Sequence, residues 1–317
     1  MSKKIKDLTE DEVKQIVKGL MKEGFEVQTE EVKPEGHPDQ GTYLVLGCVH
    51  VPGHNRELMS AIYDMCEDNK TQINGLILLG DFLDCASLSS YGTGKLPIIP
   101  GLTLEEEYSI GESVLNNLLA KLPLLNRKIY LYGNHEDRYN RYMNDAENSK
   151  RPLPSPAKGL GLYDKGFEIY DDCYNDTIRL GDHLELIHGQ YYNVHCAKKH
   201  MDVYRSSLVF CHTHRIQSYI EGRVGSFNIG WLGNVDSPFF RYMPRGTRMQ
   251  WQNGFAVVTI DHKGDYFIQQ VICHNNKFVY NGKMYGNRQE SKDKGTEVEY
   301  SSSPRGLHYG PEYQARR

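Results

Sequence analysis

Short apolar runs along this chain end repeatedly in residues whose side chains can ligate metals. Tyr43-Leu44-Val45-Leu46-Gly47-Cys48-Val49 leads into His50, and Leu76-Ile77-Leu78-Leu79 into Gly80-Asp81. Lys128-Ile129-Tyr130-Leu131-Tyr132 leads into Gly133-Asn134-His135, Leu184-Glu185-Leu186-Ile187 into His188, and Leu208-Val209-Phe210-Cys211 into His212. A short continuous apolar run fits a strand buried on both faces. Helical spacing fills the gaps. Asn55 to Glu67 aligns Leu58, Met59, Ile62, Met65 and Cys66, and Asn193 to Tyr204 aligns Val194, Ala197, Met201 and Tyr204. A further helix starts at Thr103, where Glu106 completes a capping box and Leu104, Tyr108, Leu115, Leu118 and Leu119 face inward. Alternating strands and helices predict a layered α/β domain. Such sheets form their ligand site at the carboxyl ends of the strands, where all five runs place metal-capable side chains.

The flanks read differently. Thr9 to Met21 carries a capping box (Thr9, Glu12) and a helical apolar face, and Glu30 to Gly41 reads as a linker. Arg151 to Gly161, rich in Pro and Gly, is expected as a loop on the rim of a site. After Trp231 the runs Phe255–Ile260, Tyr266–Ile272 and Phe278–Tyr280 are expected to extend a second sheet. Asn287 to Arg317 is polar and reads as a flexible tail. The division is therefore residues 1–40, a domain over 41–286, and a tail over 287–317.

Composition narrows the partners. A formal net charge of -4 leaves no basic footprint for nucleic acid, although a local patch remains open. No run of 18 apolar residues is present, so no membrane span is expected. Met1-Ser2-Lys3-Lys4-Ile5-Lys6-Asp7 lacks the apolar stretch of a secretion signal. Seven cysteines without paired spacing suit a reducing cytoplasm. The oligomeric state is open.

Side chains two apart on an extended segment share a face, so Cys48 with His50, and His212 with His214, can each present two ligands to one centre. Asp81, Asp84, Asn134, His135 and His188 follow the other strands. Thiolate, imidazole, carboxylate and amide oxygen suit Zn, Fe, Mn or Ni better than Ca.

In order and placement these residues resemble the signature of the calcineurin-like metallophosphoesterases: D-x-H, G-D-x-x-D or N, G-N-H-E or D, H, and G-H-x-H. Here the blocks read Cys48-Val49-His50, Gly80-Asp81-Phe82-Leu83-Asp84, Gly133-Asn134-His135-Glu136, His188, and Cys211-His212-Thr213-His214. The resemblance implies a four-layer αββα sandwich of two mixed β-sheets flanked by helices. It also implies two divalent metal ions, one held by Cys48, His50, Asp81 and His214, the other by Asp81, Asn134, His188 and His212. Metal-bound hydroxide would attack a phosphate ester. His135 would be the general acid, Asp84 would orient a histidine or the loop, and Arg138 would contact a phosphate.

Cys85-Ala86 follows Asp84 where protein Ser/Thr phosphatases continue Arg-Gly, and the block lacks the tyrosine ligand of purple acid phosphatases. The remaining branches are phosphodiesterases and nucleases, which implies a nucleic acid or nucleotide substrate. The layout, including Trp251-Gln252-Asn253-Gly254-Phe255, resembles phosphoesterases of bacteriophages and prophages, and so implies the cytoplasm of a bacterium or an infected host cell.

Two positions depart from the signature. Cys48 replaces the first aspartate and Cys211 replaces a glycine, the latter a change of little expected consequence. As a ligand, Cys48 would keep the negative charge, favour Zn or Fe at about 2.3 Å for Zn–S, and make an enzyme sensitive to oxidants. Alternatively Cys48 is a buried bystander and site one is impaired. The fold would then be a non-catalytic scaffold or binding protein, as the retromer subunit of the superfamily is. His54, His183, His195 and His200 lack motif support and read as structural. Tyr191 and Tyr192 read as packing residues, and Cys66, Cys85, Cys173, Cys196 and Cys273 as small buried ones.

Overall fold

A computed structural model describes residues 36–89 and 101–286, together with helical positions 15, 16, 18, 19 and 22. Most of the Thr9–Met21 helix, most of the linker and the whole Asn287–Arg317 tail lie outside the described residues.

The apolar runs form the centre of two sheets. β1 (Gly41–Leu46), β2 (Ile73–Leu79), β3 (Arg127–Leu131) and β4 (Glu168–Tyr170) pair in parallel. The second sheet has the order β5-β6-β7-β9-β8, from β5 (Ile178–Leu180), β6 (Leu184–Leu186), β7 (Ser207–Phe210), β8 (Ile216–Glu221) and β9 (Val224–Ile229). Both sheets are mixed, because β6, β7 and β9 run parallel while β5 and β8 pair antiparallel at the edges.

Burial sorts the side chains into four layers. Leu44, Leu46, Leu76, Leu78 and Tyr130 face α1 (Arg56–Asp68) and α2 (Leu104–Lys121). Their strand neighbours Tyr43, Val45, Ile77, Leu79, Ile129 and Leu131 face the other sheet, against Leu180, Leu184, Leu186 and Val209. Alternation along one strand thus fills two cores. Four shorter helices follow in chain order: α3 (Asp137–Met143), α4 (Pro156–Gly159), α5 (Cys196–Tyr204) and α6 (Arg245–Arg248). Of these, α5 covers Leu208 and Phe210 and forms the fourth layer. Asn55 caps α1 by accepting from Leu58 N, and Thr103 with Glu106 forms the capping box on α2. Such caps satisfy amide donors that a helix start otherwise leaves open.

Three expectations change. The late strands β10 (Gly254–Ile260) and β11 (Tyr266–Ile272) join the first sheet, with β10 antiparallel to β1 and β11 outermost. Phe278–Tyr280 forms a separate hairpin with Lys283–Tyr285. The Arg151–Gly161 segment is no open rim: Ala157 and Leu160 enter the first core, and Ala157 N donates to Tyr132 Oη. Val194 precedes α5 and is 68% exposed, while Cys196 and His200 supply the buried face.

Candidate metal centre

The strand ends converge as their order predicts, but by a different backbone route. Cys48, His50, Asp81, His212 and His214 all have positive φ, between 49° and 66°. The paired ligands therefore do not lie on an extended strand. Left-handed residues alternate with ordinary ones and bring each pair to one side. Non-glycine residues in this region are strained by about 1 kcal/mol or more each, and such strain gathers at functional sites.

Cys48, His50, Asp81 and His214 offer ligand atoms that all lie within 4.8 Å of one another, and so do Asp81, His188 and His212. Asp81 belongs to both sets. Asn134 joins the second, its Oδ1 3.0 Å from His188 Nε2. Asp84 lies behind the first, with Oδ2 3.1 Å from His50 Nδ1. His135 Nδ1 lies 2.9 Å from the carbonyl oxygen of Asp84, and Arg138 donates to the same oxygen at 2.8 Å. An Arg138 nitrogen stands 3.3 Å from His135 Nε2. All ten residues picked from the sequence thus gather in one place. Arg138 is buried, so its guanidinium is already anchored on Asp84.

The donor set fits cations. His188 Nδ1 donates to Leu79 O at 3.1 Å, so Nε2 faces Asn134 Oδ1 at 3.0 Å and, at 3.3 Å, Asp81 Oδ2. That arrangement needs positive charge between the ring nitrogen and the oxygens, which either a proton on the ring or a bound cation supplies. His50 Nε2 and His214 Nε2 approach to 2.9 Å, so either one donates to the other or both turn their lone pairs to a cation. Burial, with His188 close by, draws His212 down to about 3. Burial, with His50 close by, holds His214 well below its ordinary value. Both are therefore neutral imidazoles, the form that binds metal. Burial opposes the charge on Asp81, yet His188, His135 and His50 hold its carboxyl well below the usual range. Burial also opposes charge on His188, but Asp81 and Cys211 lift it well above its ordinary value. Burial, Cys211 and Asp81 keep Cys48 protonated, a balance that a bound cation reverses.

Several site residues carry no clear sequence signal. Glu136 is fully buried and accepts from Asp81 N, Leu83 N, Gly133 N and Tyr130 Oη, at 2.8–2.9 Å. It thereby ties the loop after β2 to the loop after β3. Both tryptophans of the chain pack on the centre: Trp231 stacks on His214 at 4.6 Å and Trp251 meets it edge-on. Phe240 stands edge-on to His50. The available clue in the sequence was rarity alone, since the chain has only two tryptophans. Tyr192 is 70% exposed with its ring 5.2 Å from that of His212, whereas Tyr191 packs on His200. His200 is structural as expected: its Nε2 accepts from Gln190 N, tethering that loop.

The model of the calcineurin-like phosphoesterase family matches residues 41–219. The chain belongs to that family, and membership with the ligand clusters supports a metal-dependent phosphoesterase. No curated protein sequence matches this one. Among solved structures it is similar to vacuolar protein sorting 29 of Cryptosporidium parvum, at 13% identity, covering 77% of this chain and 94% of that one, with a TM-score of 0.40. It is similar to Vps29 of Entamoeba histolytica complexed with zinc, at 14% identity, 78% and 99% coverage and a TM-score of 0.38. A hypothetical protein of Pyrococcus horikoshii OT3 shows 13% identity, 74% and 89% coverage and a TM-score of 0.40. Among the described residues no helix is long and apolar enough to cross a membrane.

Proposed function

We propose that this chain is a dinuclear-metal phosphodiesterase acting on a nucleotide or nucleic acid, with residues 41–286 as its catalytic domain. The observation that carries this reading is Asp81, shared between two ligand sets. Cys48, His50, Asp81 and His214 would hold one divalent cation, and Asp81, Asn134, His188 and His212 the other. When bound, such a pair supplies Lewis-acid activation of water and neutralises phosphoryl charge. The thiolate of Cys48 favours zinc or iron at the first position.

The surrounding residues divide the remaining work. Asp84 fixes the ring of His50 through Nδ1 and so aims its Nε2 at the centre. His135 commits Nδ1 to Asp84 O and turns Nε2 toward Arg138, so Nε2 is the atom that, once protonated, would hand a proton to the leaving oxygen. Arg138, braced by Asp84, holds positive charge beside that nitrogen for a phosphoryl oxygen. Trp231, Phe240 and Trp251 exclude water from the rear of the histidines.

The test is hydrolysis of an aryl phosphodiester and the matching monoester with Mn, Zn, Ni or Fe, using chelated protein and His135→Ala as controls. Metal-dependent turnover that favours the diester, and that falls in His135→Ala most where the leaving group is poor, supports the reading. A folded, metal-loaded chain with no turnover on either ester points instead to a binding protein built on the same fold.

A further inference from the structure

Folding brings two cysteines together at the wall of the metal centre. Cys48 Sγ accepts from the backbone N–H of His212 at 3.1 Å, and His212 is bonded directly to Cys211. The sulfurs of Cys48 and Cys211 and a nitrogen of His188 all lie within 4.8 Å of one another. The two strand ends pack closely: a Cβ built on Gly47 would stand 2.7 Å from both Cβ and Sγ of Cys211. A disulfide needs its sulfurs about 2.05 Å apart and its Cα atoms about 4.4–6.8 Å apart. From a separation already under 4.8 Å, closure asks the two sulfurs to approach by rotation about their side-chain bonds. Among the described residues no other pair of cysteines shares such a cluster.

We propose that Cys48 and Cys211 form a peroxide-responsive thiol pair, whose closure to a disulfide withdraws the Cys48 sulfur from the metal centre. The proposal rests on the reading of Cys48 as a ligand. One sulfur attacks hydrogen peroxide, the O–O bond breaks, and a sulfenic acid and water result. The second sulfur displaces the hydroxyl as a second water and the S–S bond forms. Overall two thiols and one peroxide give one disulfide and two waters. Peroxide is little larger than water and enters past Asn134 and His212, the half-buried residues of the centre. Cys211 also gives the reaction a reversible end. A lone Cys48 would pass from sulfenic to sulfinic acid, which thiols do not reduce. Closure removes a donor from the set with His50, Asp81 and His214 and leaves the Asn134, His188 and His212 set intact, so one of two metal equivalents is lost.

The experiment treats the zinc-loaded full chain with hydrogen peroxide. It follows released zinc with a chromogenic chelator and maps cysteine peptides by mass after free thiols are blocked. The expected result is a Cys48–Cys211 peptide lighter by two hydrogens, release of one zinc equivalent, and recovery of both thiols and zinc binding with dithiothreitol. Cys211→Ala should lose zinc without cross-linking and without recovery, whereas Cys196→Ala should behave as the parent chain. Mapping on the parent chain decides the matter even if a variant fails to fold. Free thiols at both positions after peroxide, a link to another cysteine, or a Cys48–Cys211 link that leaves both zinc ions bound would each overturn the proposal. Neither readout needs turnover. A chain that cross-links and releases zinc yet hydrolyses no ester sinks the enzyme reading alone.

Discussion

Asp84 Oδ2 lies 3.1 Å from His50 Nδ1, and this contact decides which nitrogen of His50 faces the metal centre. With Nδ1–H committed, Nε2 presents a lone pair toward His214. Asp84→Asn keeps the size but lets the amide offer a donor to Nδ1, which favours the wrong tautomer. Metal affinity of the set containing His50 should fall about 10–100-fold. Competition titration with zinc checks it, and an unchanged affinity would show that the ring needs no such partner.

Glu136 is a stronger structural constraint than its place in the motif suggests. In Glu136→Gln one carboxylate oxygen becomes an amide group that faces two donors. Each buried donor left without a partner costs about 1–3 kcal/mol, so unfolding stability should drop by roughly 2–6 kcal/mol. Urea midpoints measured on metal-free protein isolate that effect. Metal-loaded protein should lose affinity as well, because Asp81 N is among the released donors.

Much of this was legible in the chain, and the exceptions have physical causes. The five central strands were visible because burial on both faces forces continuous apolar runs that stop abruptly at His50, Asp81, Asn134, His188 and His212. β8 was missed because Ile216–Glu221 is an edge strand of mixed polarity. The pairing of β10 with β1 was misjudged, since apolar alternation names a buried strand without naming its neighbour. The left-handed backbone at Cys48, His50, His212 and His214 was illegible because that region is usually signalled by Gly or Asn. Cys211 looked inconsequential in the linear motif. Its proximity to Cys48 belongs to the fold, not to either strand.

Two buried groups away from the metal ligands should set the pH dependence of stability, with opposite signs. Burial and neighbouring Arg56 pull His54 down to about 4. The unfolded chain takes up that proton near pH 6.5, so His54's contribution is present above 6.5 and is lost as the pH falls toward 4. Burial pushes Glu107 up to about 7 despite hydrogen bonds from Ser87 and Ala86. Its contribution is present below its unfolded value near 4.5 and is lost as the pH rises through 7. Each effect is on the order of 3 kcal/mol. Urea midpoints from pH 4 to 8 should lose the acid-side slope in His54→Asn and the rising-pH slope in Glu107→Gln. Unchanged slopes would assign the pH dependence to other groups.

If His135 protonates the leaving oxygen, its value must depend on how badly that oxygen needs a proton. His135→Ala should reduce kcat about 10²–10⁴-fold for alkyl leaving groups. The loss should be far smaller for a nitrophenolate, which leaves unprotonated. Equal losses across a leaving-group series would give His135 a positional role through its side-chain contact with the Asp84 carbonyl oxygen.

Tyr192 offers a way to separate base-bearing substrates from simple esters. Its ring is largely exposed, yet it stands against His212 at the edge of the centre, where a diester's substituent would emerge. Exposure of a large aromatic beside a polar, buried cluster is uneconomical for folding, since the ring buries little apolar area there. A face open to solvent can instead stack on a planar base, worth about 1–3 kcal/mol per base. In Tyr192→Ala, KM for a dinucleotide should therefore rise about 5–150-fold while kcat holds, and KM for a methyl aryl diester should barely move. Tyr192→Phe should restore the dinucleotide KM, because stacking needs the ring and not the hydroxyl. A rise shared by both esters would mean that Tyr192 positions His212, and no rise for either would place the bases on another surface.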